Sequence, residues 1–145
     1  MKILIDADGC PVVRITVAVA KEYGIEAVIF CDTSHEFHED GVTAVTVDKG
    51  ADSADFAIVN RLESGDLVVT QDYGLAAMVL SKKGRALTQN GLEITALNSD
   101  SLLASRYAAK KARMSKQHLK GPAKRTAEQD KAFESALRRI LREVL

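Results

Sequence analysis

Five aspartates stand where an apolar run ends or a helix is expected to begin. Asp6 and Asp8 follow the apolar run at the start of the chain, Asp52 and Asp55 follow a glycine, and Asp72 follows another apolar run. An unpaired carboxylate beside buried surface is costly, so carboxylates that are brought together are usually neutralised by a bound cation. The pattern therefore predicts a divalent-metal site.

Phosphodiester hydrolysis is the reaction that such a site would serve best. Mg²⁺ and Mn²⁺ prefer oxygen ligands, and metal ions can stabilise both oxygens of an in-line phosphoryl displacement. We expect Asp6, Asp8, Asp55 and Asp72 to bind the metal and to orient the attacking water. Asp52 is either a fifth ligand or a residue of the first helical turn that the helix dipole favours.

Two details of the acidic motifs stay open at this stage. Asp6 and Asp8 share one face if the strand continues to Asp8, and they diverge if the chain turns between them. Thr70 and Gln71 directly precede Asp72. They either position the substrate phosphate or close the turn after the strand.

Short apolar runs alternate with helical patterns along the chain, which is typical of an α/β fold. Strands are predicted at 2–6, 26–31, 42–47, 67–70 and 85–88, with 91–95 at the edge, and helices at 11–23, 52–62 and around 75–80. The expected architecture is a three-layer sandwich with a mostly parallel central sheet, in which the first strand lies beside the fourth. Ligands bind at the carboxyl ends of such strands, so Asp6 and Asp72 should meet there.

The chain should form a single domain over 1–145, with C-terminal helices added to the sandwich. A helix is expected from Asn98 or Ser99 to about 111, followed by a loop over 113–125. Thr126 and Gln129 have the spacing of a capping box. The helix that follows should dock by an apolar face made of Phe133, Leu137, Ile140, Leu141 and Val144. The helix at 52–62 should likewise bury Phe56, Val59 and Leu62.

Charge divides the chain into an acidic body and a basic C-terminal region. Residues 1–100 carry 8 Lys and Arg against 16 Asp and Glu, whereas residues 101–145 carry 12 against 4. The basic region either binds a polyanion or folds back onto the acidic body. If it binds nucleic acid, Arg106, Lys110, Lys111 and Arg113 are the candidate phosphate contacts, and Arg106 is favoured because a helix carries it.

The cysteines, the histidines and the hydropathy pattern argue against a disulfide scaffold, a transition-metal motif and a membrane protein. Cys10 and Cys31 form neither a disulfide scaffold nor a metal motif, and Cys10 is expected to be a small buried residue. His35 and His38 lie in an acidic loop that is expected to be solvated. No apolar run approaches the roughly 18 residues of a membrane span, and no secretory signal is evident. We therefore expect a soluble cytoplasmic protein without a membrane partner. Nothing in the sequence indicates its oligomeric state.

Three motifs resemble one bacterial protein family. They are Asp6-Ala7-Asp8-Gly9-Cys10-Pro11-Val12, Gly50-Ala51-Asp52-Ser53-Ala54-Asp55 and Val69-Thr70-Gln71-Asp72-Tyr73-Gly74-Leu75-Ala76. In this order, and together with Arg106, Gly121-Pro122, Asp130 and Phe133, they closely resemble the family typified by YaiI and YqxD. That family is uncharacterised in function and is similar to the PIN-domain nucleases, which are metal-dependent ribonucleases.

The resemblance implies a PIN-like fold and, less directly, an activity. Asp6 would match the aspartate of the first strand, Asp52 or Asp55 the carboxylate of the helix, and Asp72 the aspartate after the fourth strand. The chain is then expected to be a Mg²⁺- or Mn²⁺-dependent nuclease that acts on RNA. A binding module without catalysis, for nucleic acid or a metal, and a hydrolase of small phosphoesters remain the alternatives.

Overall fold

A computed structural model describes residues 1–32, 41–48, 53–98 and 124–145 of the chain. The strands are β1 (Ile3–Asp6), β2 (Ala27–Asp32), β3 (Val42–Val47), β4 (Leu67–Val69), β5 (Arg85–Leu87) and β6 (Glu93–Ile94). The described helices are α1 (Val13–Glu22), α2 (Ser53–Arg61), α3 (Tyr73–Ser81) and α4 (Ala127–Val144). The predicted helix from Asn98 or Ser99 to about 111 lies outside the described residues.

The strands form one mostly parallel sheet in the order β3-β2-β1-β4-β5-β6. Strands β1 to β5 run parallel to their neighbours, and β6 pairs with β5 in the antiparallel direction. Ile3 lies opposite Leu67 and Ile5 lies opposite Val69 across the central pair. The predicted α/β class, the mostly parallel sheet and the pairing of the first strand with the fourth are confirmed.

Helices cover both faces of the sheet, which is why its central strands are apolar throughout. Ile3 and Ile5 point into a core shared with α1 and α4, whereas Leu4 points into a second core shared with α2 and α3. Val69 and Val68 divide in the same way between the two cores. The three layers follow from this alternation, because successive side chains of a strand point to opposite faces.

Helix α4 begins with the predicted capping box. The Thr126 side chain accepts a hydrogen bond from Gln129 N, and the Gln129 side chain accepts one from Thr126 N. Phe133, Ala136, Leu137, Ile140 and Leu141 are buried in the core that contains α1. Val144 was predicted to belong to this face, but it is 46% exposed because it is the last residue of the helix.

One other local prediction was wrong. Helix α2 buries Ile58, and Leu62 directly after it is also buried, while Phe56 is 64% exposed. Residues three or four positions apart lie on the same side of a helix, so both Phe56 and Ile58 could share a face with Leu62. Tertiary packing buries the face that contains Ile58. Arg125 lies in a loop, as predicted, and its guanidinium donates hydrogen bonds to Asp130 Oδ1 (2.7 Å), Asn90 Oδ1 (2.8 Å) and the Gln89 carbonyl (2.6 Å).

A buried ion pair fixes the edge of the sheet where the parallel strands begin. Asp66, just before β4, accepts hydrogen bonds from Lys2 Nζ (2.6 Å), Lys2 N (3.0 Å) and Glu63 N (2.8 Å). Burial disfavours the charged carboxylate, but these hydrogen bonds outweigh burial and lower the pKa of Asp66 below its usual value. The pair therefore ties the amino ends of β1 and β4 together, opposite the edge where Asp6 lies.

Candidate functional site

The acidic residues meet where the sheet changes its direction of winding. Strand β1 lies between β2 and β4. The chain continues from β1 toward one edge of the sheet, through β2 and β3, and from β4 toward the other edge, through β5 and β6. This reversal leaves a crevice at the carboxyl ends of β1 and β4. A cavity of about 230 Å³ lies at this point. Its lining residues are Asp6, Asp8, Gly9, Cys10, Val69, Thr70, Gln71, Asp72 and Gln89. Five of the predicted site residues thus share one cavity.

Asp6 is the most constrained carboxylate of this cavity. It ends β1, is partly buried, and its Oδ2 accepts a hydrogen bond from Thr70 Oγ1 at 2.9 Å. Burial raises the pKa of Asp6 above its usual value. The hydrogen bond from Thr70 opposes this shift, and the negative charges of Asp72 and Asp8 add to it. The site therefore holds Asp6 at an electrostatic cost that a nearby cation would relieve.

Thr70 connects the two strand ends through one hydroxyl group. Its Oγ1 donates to Asp6 and accepts a hydrogen bond from Asp72 N at 3.0 Å, and the residue is only 2% exposed. The proton of the hydroxyl is therefore engaged by a carboxylate. Of the two roles predicted for Thr70, the geometry favours closing the turn, and in doing so Thr70 also orients Asp6.

Asp72 also stabilises a helix end, a role that was predicted among the candidate site aspartates only for Asp52. It is the N-cap of α3, and its Oδ1 accepts hydrogen bonds from Gly74 N (2.9 Å) and Leu75 N (3.1 Å). An aspartate directly before an apolar helix is a common capping signal, so the sequence contained this information. The cap fixes the carboxylate at the wall of the cavity, beside the end of β1.

The chain turns directly after β1, which decides the relation between Asp6 and Asp8. Cys10 N donates a hydrogen bond to the Ala7 carbonyl at 3.0 Å, and Gly9 has a φ of +69°. A left-handed φ of this kind favours glycine. Asp8 is exposed at the mouth of the cavity, and its Oδ1 accepts a long hydrogen bond of 3.4 Å from Asp32 N. Asp6 and Asp8 therefore diverge around one point.

The opposite rim of the cavity includes Gln89, which no sequence pattern singles out, and is attached to Arg125 of the basic C-terminal region. Gln89 N donates a hydrogen bond to Gln71 Oε1 at 2.9 Å, which fixes the predicted residue Gln71. The carbonyl of Gln89 accepts the hydrogen bond from Arg125, so the rim is attached to the start of α4. The contact between Gln89 and Arg125 could not be predicted from a local sequence pattern, because the two residues are 36 positions apart.

Cys10 lines the cavity but is a poor nucleophile. Burial raises the pKa of its thiol above the usual value, a hydrogen bond from the Val12 backbone opposes this shift, and the negative charge of Asp6 adds to it. Arg125 is close enough for its positive charge to lower the pKa in part. The thiolate is nevertheless disfavoured, and it is the thiolate that attacks in cysteine chemistry. The thiol packs against the apolar core that contains α1.

Asp55 lies outside this cavity. It lines a second cavity of about 340 Å³ together with Phe56, Asp72, Gly74, Leu75 and Met78. Asp72 is common to both cavities. The structure therefore brings Asp6, Asp8 and Asp72 together, and places Asp55 on the far side of Asp72.

A metal ion would find a limited set of donors among the described residues. No group of three or more His, Cys, Asp and Glu side chains within 1–32, 41–48, 53–98 and 124–145 is arranged to bind one ion. Mg²⁺ is often bound by one or two carboxylates and completes its shell with water and substrate phosphate. The donor set fits an ion held in that way, and it does not provide the four or five protein ligands predicted from the sequence.

Several predicted residues lie outside the part of the chain that the structure describes. They are Asp52, Arg106, Lys110, Lys111 and Arg113, together with His35 and His38. Their predicted roles stay predictions. Within the described residues, no helix is long and apolar enough to span a membrane.

An α/β protein with a cavity at the carboxyl ends of its central strands belongs to a broad structural class. Comparison with known proteins is more specific, because residues 4–143 match the model of the uncharacterised YaiI/YqxD family of bacteria. The chain belongs to this family. The predicted family resemblance is therefore confirmed.

Curated relatives agree with this assignment along the whole chain. A UPF0178 protein of Exiguobacterium sibiricum is 49% identical over 143 residues, which cover 99% of this chain and 98% of the relative. A UPF0178 protein of Clostridium acetobutylicum is 48% identical and covers 97% of both chains. No solved structure matches the chain. The likeness to PIN-domain nucleases therefore stays a prediction.

Proposed function

We propose that this protein is a Mg²⁺- or Mn²⁺-dependent nuclease that hydrolyses phosphodiester bonds in RNA, acting in the cytoplasm. The observation that supports the proposal is the meeting of Asp6, Asp8 and Asp72 in one cavity at the carboxyl ends of β1 and β4. Two of these carboxylates are fixed by hydrogen bonds, and Asp6 has a raised pKa that reflects burial and the nearby negative charges. Such an arrangement is stabilised when a cation binds.

Each residue has a distinct role in the proposed site. Asp6 and Asp72 would hold the ion from the ends of neighbouring strands, and the Thr70 hydroxyl would keep Asp6 in position. Asp8, which is exposed at the mouth, would orient the attacking water. When bound, the ion supplies positive charge to the phosphoryl oxygens as negative charge develops on them. The fixed carboxylates need no reorganisation during this step.

Holding a polyanion beside three carboxylates requires cations nearby. The residues proposed for this task are Arg106, Lys110, Lys111 and Arg113, on the basis of sequence alone. Arg125 supplies a positive charge at the rim formed by Gln89. Binding through such cations would weaken strongly as the salt concentration rises.

Charge-neutral variants of the aspartates test the proposal. Asp6→Asn and Asp72→Asn should each reduce the Mn²⁺-dependent cleavage of a single-stranded RNA by about 100-fold or more, since removal of a positioned acid–base or charged group commonly has this effect. Asp48→Asn is the matched control, because Asp48 is an exposed aspartate directly after β3, at the same edge of the sheet. Equal cleavage rates for the parent, Asp6→Asn and Asp72→Asn would contradict the proposal.

A hydrolase of small phosphoesters is the second candidate, because the cavity accommodates a single phosphate group and does not itself require a polymer. At about 230 Å³ the cavity is smaller than the roughly 300 Å³ at which pockets for whole small molecules begin. It therefore suits one phosphate group with its hydration. Turnover of mononucleotides that is insensitive to salt would favour this candidate. Salt-sensitive RNA binding without turnover in Mg²⁺ or Mn²⁺ would instead indicate a binding module.

A further inference from the structure

The second cavity has a lining unlike that of the first. It is formed by the first turn of α2 and by α3, with the side chains of Phe56 and Met78 on its surface. Phe56 is 64% exposed and Met78 is 38% exposed. Scattered exposed apolar residues are normal, but an aromatic ring and a thioether that border one concave surface form a surface suited to a flat apolar ligand.

Charge restricts what this ligand can be. Among the described residues, six line this cavity; they include two carboxylates, Asp55 and Asp72, and no Lys, Arg or His. A phosphate or another anion would be repelled from such a surface. An uncharged ring with N–H donors at its edge would be favoured, because carboxylates accept hydrogen bonds from exocyclic amino groups.

The position of the second cavity, next to the proposed hydrolytic site, indicates which kind of ring it would bind. Asp72 lines both cavities, so a ligand in the second cavity lies next to the proposed hydrolytic site. A nucleotide carries its base one sugar away from its phosphate, and bases stack on exposed aromatic side chains. We propose that the second cavity binds one nucleobase with an exocyclic amino group, adjacent to the phosphate that the first cavity receives. This inference rests on the proposed function for the choice of nucleic acid as the ligand.

The proposal also gives Phe56 and Asp55 definite roles. Phe56 would provide the stacking face, and Asp55 or Asp72 would accept the hydrogen bond from the amino group. The low aromatic content of the chain, 5%, argues against an extended stacking surface for single strands. It is compatible with a site for a single base. Specificity would then be set at one nucleotide beside the cleaved bond.

Nucleosides test this site without any requirement for hydrolysis. The full chain, labelled with ¹³C at its methionine methyl groups, would be titrated with cytidine and with uridine in the presence of EDTA. The Met78 methyl signal should shift in a saturable way with cytidine, and uridine should bind at least several-fold more weakly because it lacks the amino group. The Met1 methyl lies before β1, at the other edge of the sheet, and should not respond.

Phe56→Leu is the decisive variant, because leucine retains apolar volume and loses the stacking face. Loss of the stacking face should lower cytidine affinity about tenfold. The substitution lies at an exposed position, so folding should be retained, and this can be checked from the melting temperature. Leu97→Ala, which removes an apolar side chain that is 98% exposed and does not line the cavity, should bind cytidine like the parent.

Several outcomes would overturn the inference. They are an absence of a Met78 shift, an equal response to uridine, or an unchanged cytidine affinity in Phe56→Leu. A dimer in analytical ultracentrifugation that Phe56→Leu dissociates would also overturn it, since a second copy would then fill the cavity. Cytidine binding in a protein that cleaves no RNA would refute the proposed hydrolysis and leave the base site standing. Cleavage without cytidine binding would refute only the base site.

Discussion

Asp72 combines two tasks that different substitutions can separate. It caps α3 through two backbone hydrogen bonds, and it contributes a negative charge to both cavities. Asp72→Ala removes the cap and the charge together. Asp72→Asn retains an oxygen that can accept the same hydrogen bonds, since asparagine is as good an N-cap as aspartate.

The expected stability changes follow from this difference. Loss of an N-cap costs about 0.5–2 kcal/mol, and the two hydrogen bonds of 2.9 and 3.1 Å place Asp72→Ala in the upper half of that range. Each 1 kcal/mol corresponds to about 2–4 °C in melting temperature for a domain somewhat larger than this one. We therefore expect a decrease of several degrees for Asp72→Ala and almost none for Asp72→Asn.

Paired measurements of stability and cleavage test the reasoning. Urea unfolding and thermal melts would give the stability of both variants, and RNA cleavage in Mn²⁺ would give their activity. Both variants should be inactive, while only Asp72→Ala should be destabilised. If Asp72→Asn unfolds as easily as Asp72→Ala, the cap does not explain the stability. If Asp72→Asn cleaves like the parent, the charge is not needed.

The further predictions concern three positions, Asp66, Thr70 and Gly91. Asp66→Ala should cost about 1–3 kcal/mol, because it leaves two backbone N–H groups without their acceptor and leaves Lys2 Nζ only the exposed Glu63 carboxylate at 3.4 Å; urea unfolding measures it, and a loss below 1 kcal/mol would contradict the account. The pKa of Asp66 is lowered in the folded protein, so the stabilisation that its carboxylate provides is complete above the unfolded pKa of about 3.9 and is lost as the pH falls through the lower folded pKa. The difference in unfolding free energy between the parent and Asp66→Asn should therefore shrink over that pH range. Thr70→Val should lower the free energy of unfolding by about 1–3 kcal/mol and weaken Mn²⁺ binding, whereas Thr70→Ser retains the hydroxyl and should preserve stability and binding. Equal behaviour of the two variants in urea unfolding and in calorimetry would refute the role of the hydroxyl. Gly91→Ala should lower the melting temperature, because the added Cβ would lie 2.6 Å from the Ala132 carbonyl oxygen at a φ of +86°, and an unchanged melting temperature would refute this close contact.

The sequence predicted the sheet well because its signals are local and repeated. Continuous apolar runs such as Ile3–Ile5 identified buried parallel strands, and the rules of α/β topology placed the fourth strand beside the first. The meeting of Asp6 with Asp72 followed from that placement. The capping box at Thr126 was likewise predictable, because both of its residues lie within one turn.

The parts of the site that depend on packing between helices were not predictable. Whether Asp55 joins Asp6 or faces the other way depends on how α2 lies against α3, and no local pattern encodes this. Phe56 was expected in the core because its spacing to Leu62 is as helical as that of Ile58. Arg125 joined the rim through contacts across 35 and 36 residues, to Asn90 and Gln89.

Binding of Mn²⁺ is the most direct test of the central claim, that the first cavity is a metal site. Isothermal titration calorimetry would be run with and without inorganic phosphate, since phosphate can complete the shell of an ion held by two carboxylates. The account predicts binding to the parent and to Asp48→Asn in the presence of phosphate, and its loss in Asp6→Asn and Asp72→Asn. Absence of binding to the parent under both conditions, or equal binding to all four proteins, would contradict it.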